Sequence, residues 1–295
     1  MIVADAILQG ILAGLLFALV ALGLTIIFGV MDIVNFAHGE FLMIGMYVAY
    51  WTSVLLHVDP LMTLPACALL GMLLGLASYY CLVKYLLRGP MIAQLFGTFG
   101  LMLFLRYLAM FIWGADYRIV QKGLLVGKTL SLGPFTFDWT KLSAAILSLL
   151  AFFLVYRLLH RTTLGRALRA TALNKEAASY MGIRTDRMNA LAWAIGGGTV
   201  GIAGGLLVNF WYVYPTVGLL FVMIAFASVA LGGFGSIQGA FFAGVLIGII
   251  EMLFPIFGQL IGSDFLGPHF KFTVVYFAYF VIVVLKPQGL FGWKR

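Results

Sequence analysis

An all-α polytopic membrane protein of about nine spanning helices is the fold class the sequence predicts, and three observations carry it. Apolar residues fill 63% of the 295 positions and charged ones only 9%, where a soluble globular chain is roughly a quarter charged. The mean hydropathy is +1.09, and the apolar residues come in successive runs, each long enough for a hydrocarbon core of about 30 Å. Basic residues gather at the ends of those runs. The net charge of +8 therefore reports membrane topology, and a nucleic-acid partner is excluded.

Nine runs read as spans: 6–30, 39–57, 61–83, 91–114, 142–159, 188–211, 217–233, 236–254 and 271–285. Eight spans, or one re-entrant pair miscounted as a span, is the alternative. The first run starts without a basic leader and is expected to be a spanning helix, not a cleaved signal. Cys67 and Cys81 lie fourteen residues apart on one predicted helix, roughly 21 Å along its axis, too far to pair. Nothing indicates a metal site or a cofactor.

The long polar stretch 157–187 sets the orientation. It holds seven basic residues (Arg157, Arg161, Arg166, Arg169, Lys175, Arg184 and Arg187) against Glu176 and Asp186. Placing it inside puts twelve Lys/Arg on the cytoplasmic side (these seven with Lys84, Arg88, Lys286, Lys294 and Arg295) and five outside (Arg118, Lys122, Lys128, Lys141 and Lys271). Positive-inside asymmetry then predicts an external N-terminus and a cytoplasmic C-terminus. Leu164, Ala167, Leu168 and Ala172 recur at helical spacing. Asn174 can cap a second short helix, with Glu176 in its first turn and Gly182 at its end. Two readings stand at this point: a helix that docks Ala177, Ala178, Tyr180 and Met181 onto a partner, or a solvated tether held by anionic lipid.

Segment 115–141 falls outside the membrane in this threading. Its GLLVGKT (Gly123 to Thr129) imitates a phosphate-binding loop but has three residues between the glycines where four are needed, and no strand precedes it. The following LSLGPFTFDW predicts a small β-hairpin or lid. Glycine fills 35 positions, with Gly10/Gly14, Gly71/Gly75, Gly201/Gly205 and Gly244/Gly248 each four apart, the spacing of close helix contacts. Gly196, Gly197 and Gly198, followed by Gly201, Gly204 and Gly205, suggest a helix that bends or slides. Pro215 and Pro255 are placed near span ends. GLLFALVA (14–21) weakly echoes GLLFVMIA (218–225), as parallel transporter repeats do.

Asp32 and the NFAHGE motif (Asn35, His38, Glu40) interrupt two apolar runs. One reading is a non-helical break at membrane depth that lines a pathway or gate, with Asn35 and His38 bonding the freed backbone. The other is a cytoplasmic turn whose Asn and His cap helix ends. Arg106 and Glu251 are the charges deepest in predicted spans, and an Arg106–Glu251 ion pair is expected unless each snorkels outward. No catalytic triad, paired-carboxylate site or HExxH is present, so enzymatic chemistry is not expected.

FGVMDIVNFAHGEFLMIGMY (28–47), GRALRATALNKEAASYMGI (165–183), ALGGFGSIQGAFFAGVLIGIIE (230–251) and KPQGLFG (286–292), in this order, give the chain a resemblance to the membrane permease subunits of branched-chain amino-acid ABC importers, the LivH type. Lys286 stands where that family favours Arg. The resemblance implies a single permease domain, 1–295, in the bacterial inner membrane. It would pair with a second permease, with two cytoplasmic ATPase subunits and with a periplasmic binding protein that delivers the amino acid. Glu176, Ala177, Ala178 and Gly182 match the loop through which importer permeases contact the ATPase, which favours docking over tethering. ATP binding would then drive alternating access. A urea or short-amide importer permease is the related alternative, and a self-sufficient secondary transporter the alternative of a different class.

Overall fold

A computed structural model describes residues 2–120, 123–132, 135–261, 270–286 and 288–292. Of the residues named above, Lys122, Gly133, Pro134, Pro287, Lys294 and Arg295 lie outside this set. Every predicted span is a helix. The order is α1 (Ile2–Met31), α2 (His38–Leu56), a short 3-10 turn (Pro60–Thr63), α3 (Leu64–Ser78), a π-helical turn (Tyr79–Val83), α4 (Lys84–Leu86) and α5 (Met91–Trp113). Then follow β1 (Thr129–Leu132), β2 (Phe135–Asp138), α6 (Trp139–Arg161), α7 (Thr163–Leu173), α8 (Lys175–Tyr180), α9 (Thr185–Leu207), α10 (Val217–Gly232), α11 (Ile237–Ile261) and α12 (Lys271–Leu285). Among the described residues seven helices are long and apolar enough to cross a membrane, and α10 and α12 are shorter apolar helices. The two strands form the expected hairpin, antiparallel, with Thr129 opposite Asp138 and Leu132 opposite Phe135.

Glycine decides which helices meet. A Cβ built on Gly14 of α1 would lie 2.6 Å from the Val245 Cα of α11, and one on Gly10 would lie 2.6 Å from the Ile249 Cα. Gly244 and Gly248 face Ala18, Gly10 and Gly14 in return. Here apolar surface is as content in lipid as in protein, so backbone contact of this kind supplies the association. Gly71 and Gly75 of α3 press likewise on Gly197 and Trp193 of α9.

The glycine-rich run lies within α9, a helix continuous from Thr185 to Leu207. Gly196 meets Gly23 of α1, Gly197 meets α3, and Gly204 meets Leu42 and Gly45 of α2. A glycine costs a helix about 1 kcal/mol relative to alanine, and close packing on three neighbours offsets that. α9 is thereby the hub of the bundle, with Trp193, Val200, Ala203 and Leu206 fully buried. Pro255 departs from its expected place at a span end. It sits inside α11, which runs on to Ile261 instead of ending at residue 254. The echoing stretches 14–21 and 218–225 occupy different environments, since Gly14 packs on α11 and Gly218 on α2.

The C-terminal segment folds back on the α10–α11 corner. Leu290 N–H donates to the Leu231 carbonyl at 2.8 Å and Phe291 N–H to that of Gly232 at 3.0 Å. Gly233, at φ +100°, and Gly289, at φ +75°, adopt backbone that only glycine enters cheaply.

A broken-helix junction and an exposed two-helix loop as candidate functional sites

Local sequence chemistry dictates the break between α1 and α2. Asp32 leaves α1 at φ +53°, a left-handed conformation that Asp tolerates better than bulkier residues. Residues 33–35 are not helical. The Asn35 side-chain oxygen accepts the Ala37 N–H at 3.0 Å, a local turn that starts α2 without a side-chain cap of its own.

His38 fixes the depth of this junction. Its Nε2 lies 2.9 Å from the carbonyl of Val20 in α1; a carbonyl only accepts, so Nε2 carries the proton. Past Gly23, which lies against His38, α1 continues to Met31, roughly 12 Å further at 1.5 Å per residue. Residues 32–37 therefore climb back along the helix just completed. Their backbone is held from the side by Thr98 of α5, whose hydroxyl donates to the Val34 carbonyl at 3.0 Å. Phe36 fits between Phe99 and Phe226, with ring centroids 6.2 and 5.4 Å away.

The N-terminus of a second helix meets the same level. A Cβ on Gly39 of α2 would collide with the Gly218 carbonyl at the start of α10, and one on Gly218 with the Gly39 carbonyl. From this contact α2 runs towards the end of the bundle that holds the N-terminus of α1. The other helix, α10, runs towards the opposite end, where Gly235 meets Gly29 and Phe234 meets Phe28. This explains why α10 is short: it begins inside the bundle. Discontinuous helices that start at depth are a device by which transporters build pathways through a bilayer, because irregular backbone is tolerated there only when protein satisfies it.

The expected Arg106–Glu251 pair does not form. Arg106 of α5 instead donates from Nε to Glu40 Oε1 at 3.1 Å, and Nη2 reaches the same oxygen. The reason is depth: Glu40, in the first turn of α2, is carried to the level of Arg106 by the climbing segment. In the sequence Glu40 shows only as part of the NFAHGE motif, with no signal that it partners Arg106. Glu251 lies elsewhere, in α11 near the N-terminal end of the bundle. Asn35, His38 and Glu40 are thus brought together and buried. Asn35 Nδ2, His38 Nδ1 and Glu40 Oε2 have no hydrogen-bond partner among the described residues.

The loop 157–187 is built as two helices. The Thr162 hydroxyl caps α7 by accepting the Gly165 N–H at 3.1 Å. The Asn174 side chain caps α8 by accepting the Ala177 N–H at 2.9 Å, and Gly182, at φ +83°, ends it. Tyr180 is 86% exposed and Met181 83%, while Glu176 and Ala177 are also exposed. Ala178 departs from the expected docking face: it is buried, because α8 rests on the chain through that side.

A further contact at the loop's exit has no sequence signal. Asp186 opens α9 and accepts from the Tyr79 hydroxyl at 2.7 Å and from Lys84 Nζ at 3.0 Å. These partners sit on the π-helical turn and α4, a little over a hundred residues away in the chain, and no periodicity links them.

The fold is that of a polytopic membrane protein with a break buried in its helix bundle. The chain matches, over residues 6–285, the family described as branched-chain amino acid transport system / permease component, and it belongs to that family. It is 31% identical over 299 residues to the high-affinity branched-chain amino acid transport system permease protein LivH of Salmonella typhimurium, covering 96% of this chain and 94% of the relative. The same values hold for LivH of Escherichia coli. The counterpart BraD of Pseudomonas aeruginosa is 28% identical over 304 residues, with 96% and 94% covered. No solved structure matches the chain.

Removing one partner of a buried ion pair strands the other and costs about 3–5 kcal/mol. Glu40→Gln or Arg106→Gln alone should therefore lower the thermal unfolding midpoint of the purified protein markedly, and the double variant by less than the two combined. Additive effects in this double-mutant cycle would show that the pair contributes no coupling.

Proposed function

We propose that the chain is the permease subunit of an ATP-driven importer for branched-chain amino acids in a bacterial inner membrane. It works with a second, related permease, two cytoplasmic ATPase subunits and a periplasmic binding protein. The observation that carries this reading is α8: a capped helix of six residues, between two spanning helices, that presents Tyr180 and Met181 to the outside of the chain. So short a helix has little stability of its own in water, and large apolar side chains at its surface suit a groove on a partner. Family membership supplies the partner's class.

In this reading ATP binding closes the ATPases and displaces α8. Asp186, two residues into the next element and tied to Tyr79 and Lys84, passes that displacement to α9 and to the π-helical turn. The junction of α2 and α10 is the fixed point about which the two halves of the bundle open alternately to either side. Asn35, His38 and Glu40 line the pathway or its gate there. The N-terminus and the hairpin face outward, and the basic loop and C-terminus face the cytoplasm.

Orientation is checked with single cysteines in a cysteine-free background and an impermeant thiol reagent. Thr129→Cys should label from outside in intact cells, and Leu173→Cys, at an 88% exposed position, only after the membrane is opened. Labelling of Leu173→Cys in intact cells would overturn the threading.

Coupling is checked with Gly182→Val and Glu176→Lys. The first forces a branched side chain into left-handed backbone, at roughly 1–2 kcal/mol. The second reverses a charge that favours the helix start by about 0.3–1 kcal/mol. Both should abolish the stimulation of ATP hydrolysis by loaded binding protein in the reconstituted complex while leaving the permease inserted and stable. Full stimulation in both variants would reduce the loop to a tether.

A further inference from the structure

A second site lies apart from the junction. Between α1, α6, α9, α10 and α11, near the N-terminal end of the bundle, the chain encloses a cavity of about 230 Å³. Its walls are apolar, with Leu16 and Phe17 of α1, Trp211 and Phe221 among them. Two opposite charges also line it: Glu251 of α11, 2% exposed, and Lys141 of α6. Lys141 marks the mouth, since it is partly exposed and lies 3.1 Å from Asp138 of β2. The hairpin is also fastened there by Gln9, whose amide donates to the Thr136 carbonyl at 3.1 Å. A carboxylate held deep in a span is costly and marks function more often than structure.

We propose that this cavity is a substrate subsite within the permease, for one zwitterionic α-amino acid with a branched aliphatic side chain. The inference rests on the importer reading above and locates where the delivered molecule is first held. Lys141 at the mouth takes the substrate carboxylate, Glu251 takes the ammonium, and the Leu16, Phe17, Trp211 and Phe221 wall takes the side chain. Size argues the same way. The volume is below the roughly 300–1,000 Å³ of pockets for drug-sized ligands, so the occupant is small. An apolar wall with a few convergent polar groups sets orientation by charge and selectivity by shape. A sugar, with hydroxyls all round, would leave its polar groups unpaired against Phe and Trp, which is how such a wall rejects it. The hairpin over the mouth is placed where a binding protein would hand over its cargo.

The test is equilibrium binding of radiolabelled L-leucine to the reconstituted complex without binding protein, competed by leucinamide (no carboxylate) and 4-methylpentanoate (no ammonium). The wild-type complex should bind L-leucine saturably and each competitor at least tenfold more weakly. Glu251→Gln, nearly isosteric, should erase the preference over 4-methylpentanoate and keep that over leucinamide. Lys141→Met should do the reverse, and Leu16→Trp, which fills the cavity, should remove binding. An unchanged competition profile in the two charge variants overturns the subsite, as does absent saturable binding to the wild type. Binding-protein-dependent uptake by the same wild-type complex separates the causes. If leucine is taken up, only the subsite falls; if no branched-chain amino acid is taken up, the importer reading falls with it.

Discussion

A backbone that breaks inside a bilayer must have its polar groups satisfied by protein, and that constraint organises this chain. The climb from Asp32 to Ala37 exposes carbonyls and amides at a depth where lipid offers them nothing. The chain answers with four contacts, one within the segment and three to two other helices, α1 and α5. Asn35 turns on its own backbone, His38 reaches Val20, Thr98 holds Val34, and Arg106 meets Glu40. Each contact is ordinary in strength. Together they pin α1, α2 and α5 to one level, and the Gly39–Gly218 contact brings α10 to the same place.

The rest of the architecture follows from keeping helices close around that level. In lipid there is little hydrophobic gain when one apolar helix meets another, so contact has to come from surface shape. Glycines on α1, α3, α9 and α11 let backbones touch, and α9 threads the centre. The large apolar side chains that face outward on α5, such as Phe96, Phe104 and Phe111, are then what a lipid- or subunit-facing surface requires. The two-helix loop lies at one end of the bundle and the hairpin at the other.

Much of this was legible in the residues. Run lengths and charge asymmetry predicted a helix for each span, and LSLGPFTFDW predicted the hairpin. Asn174 and Gly182 predicted both ends of α8, because capping is local chemistry written within a few residues. Two features were not legible, for one physical reason. The Arg106–Glu40 pair and the inward side of Ala178 are each decided by what packs alongside. A sequence gives depth along a helix, but not the vertical offset that a climbing segment introduces. Glu251 was recognised as a buried charge of interest, though its surroundings are a cavity and not Arg106.

The architecture depends on burial of the 32–41 segment in protein at membrane depth, in place of a water-facing turn. Hydrogen–deuterium exchange on the permease in lipid nanodiscs reads this directly. The amides of Ala37 to Phe41 should exchange as slowly as those in the middle of α9, around Gly196 to Ala203, and far more slowly than those of 174–184. Exchange of the 32–41 amides at the rate of the 174–184 loop would contradict this burial, and would return the motif to an ordinary turn between two helices.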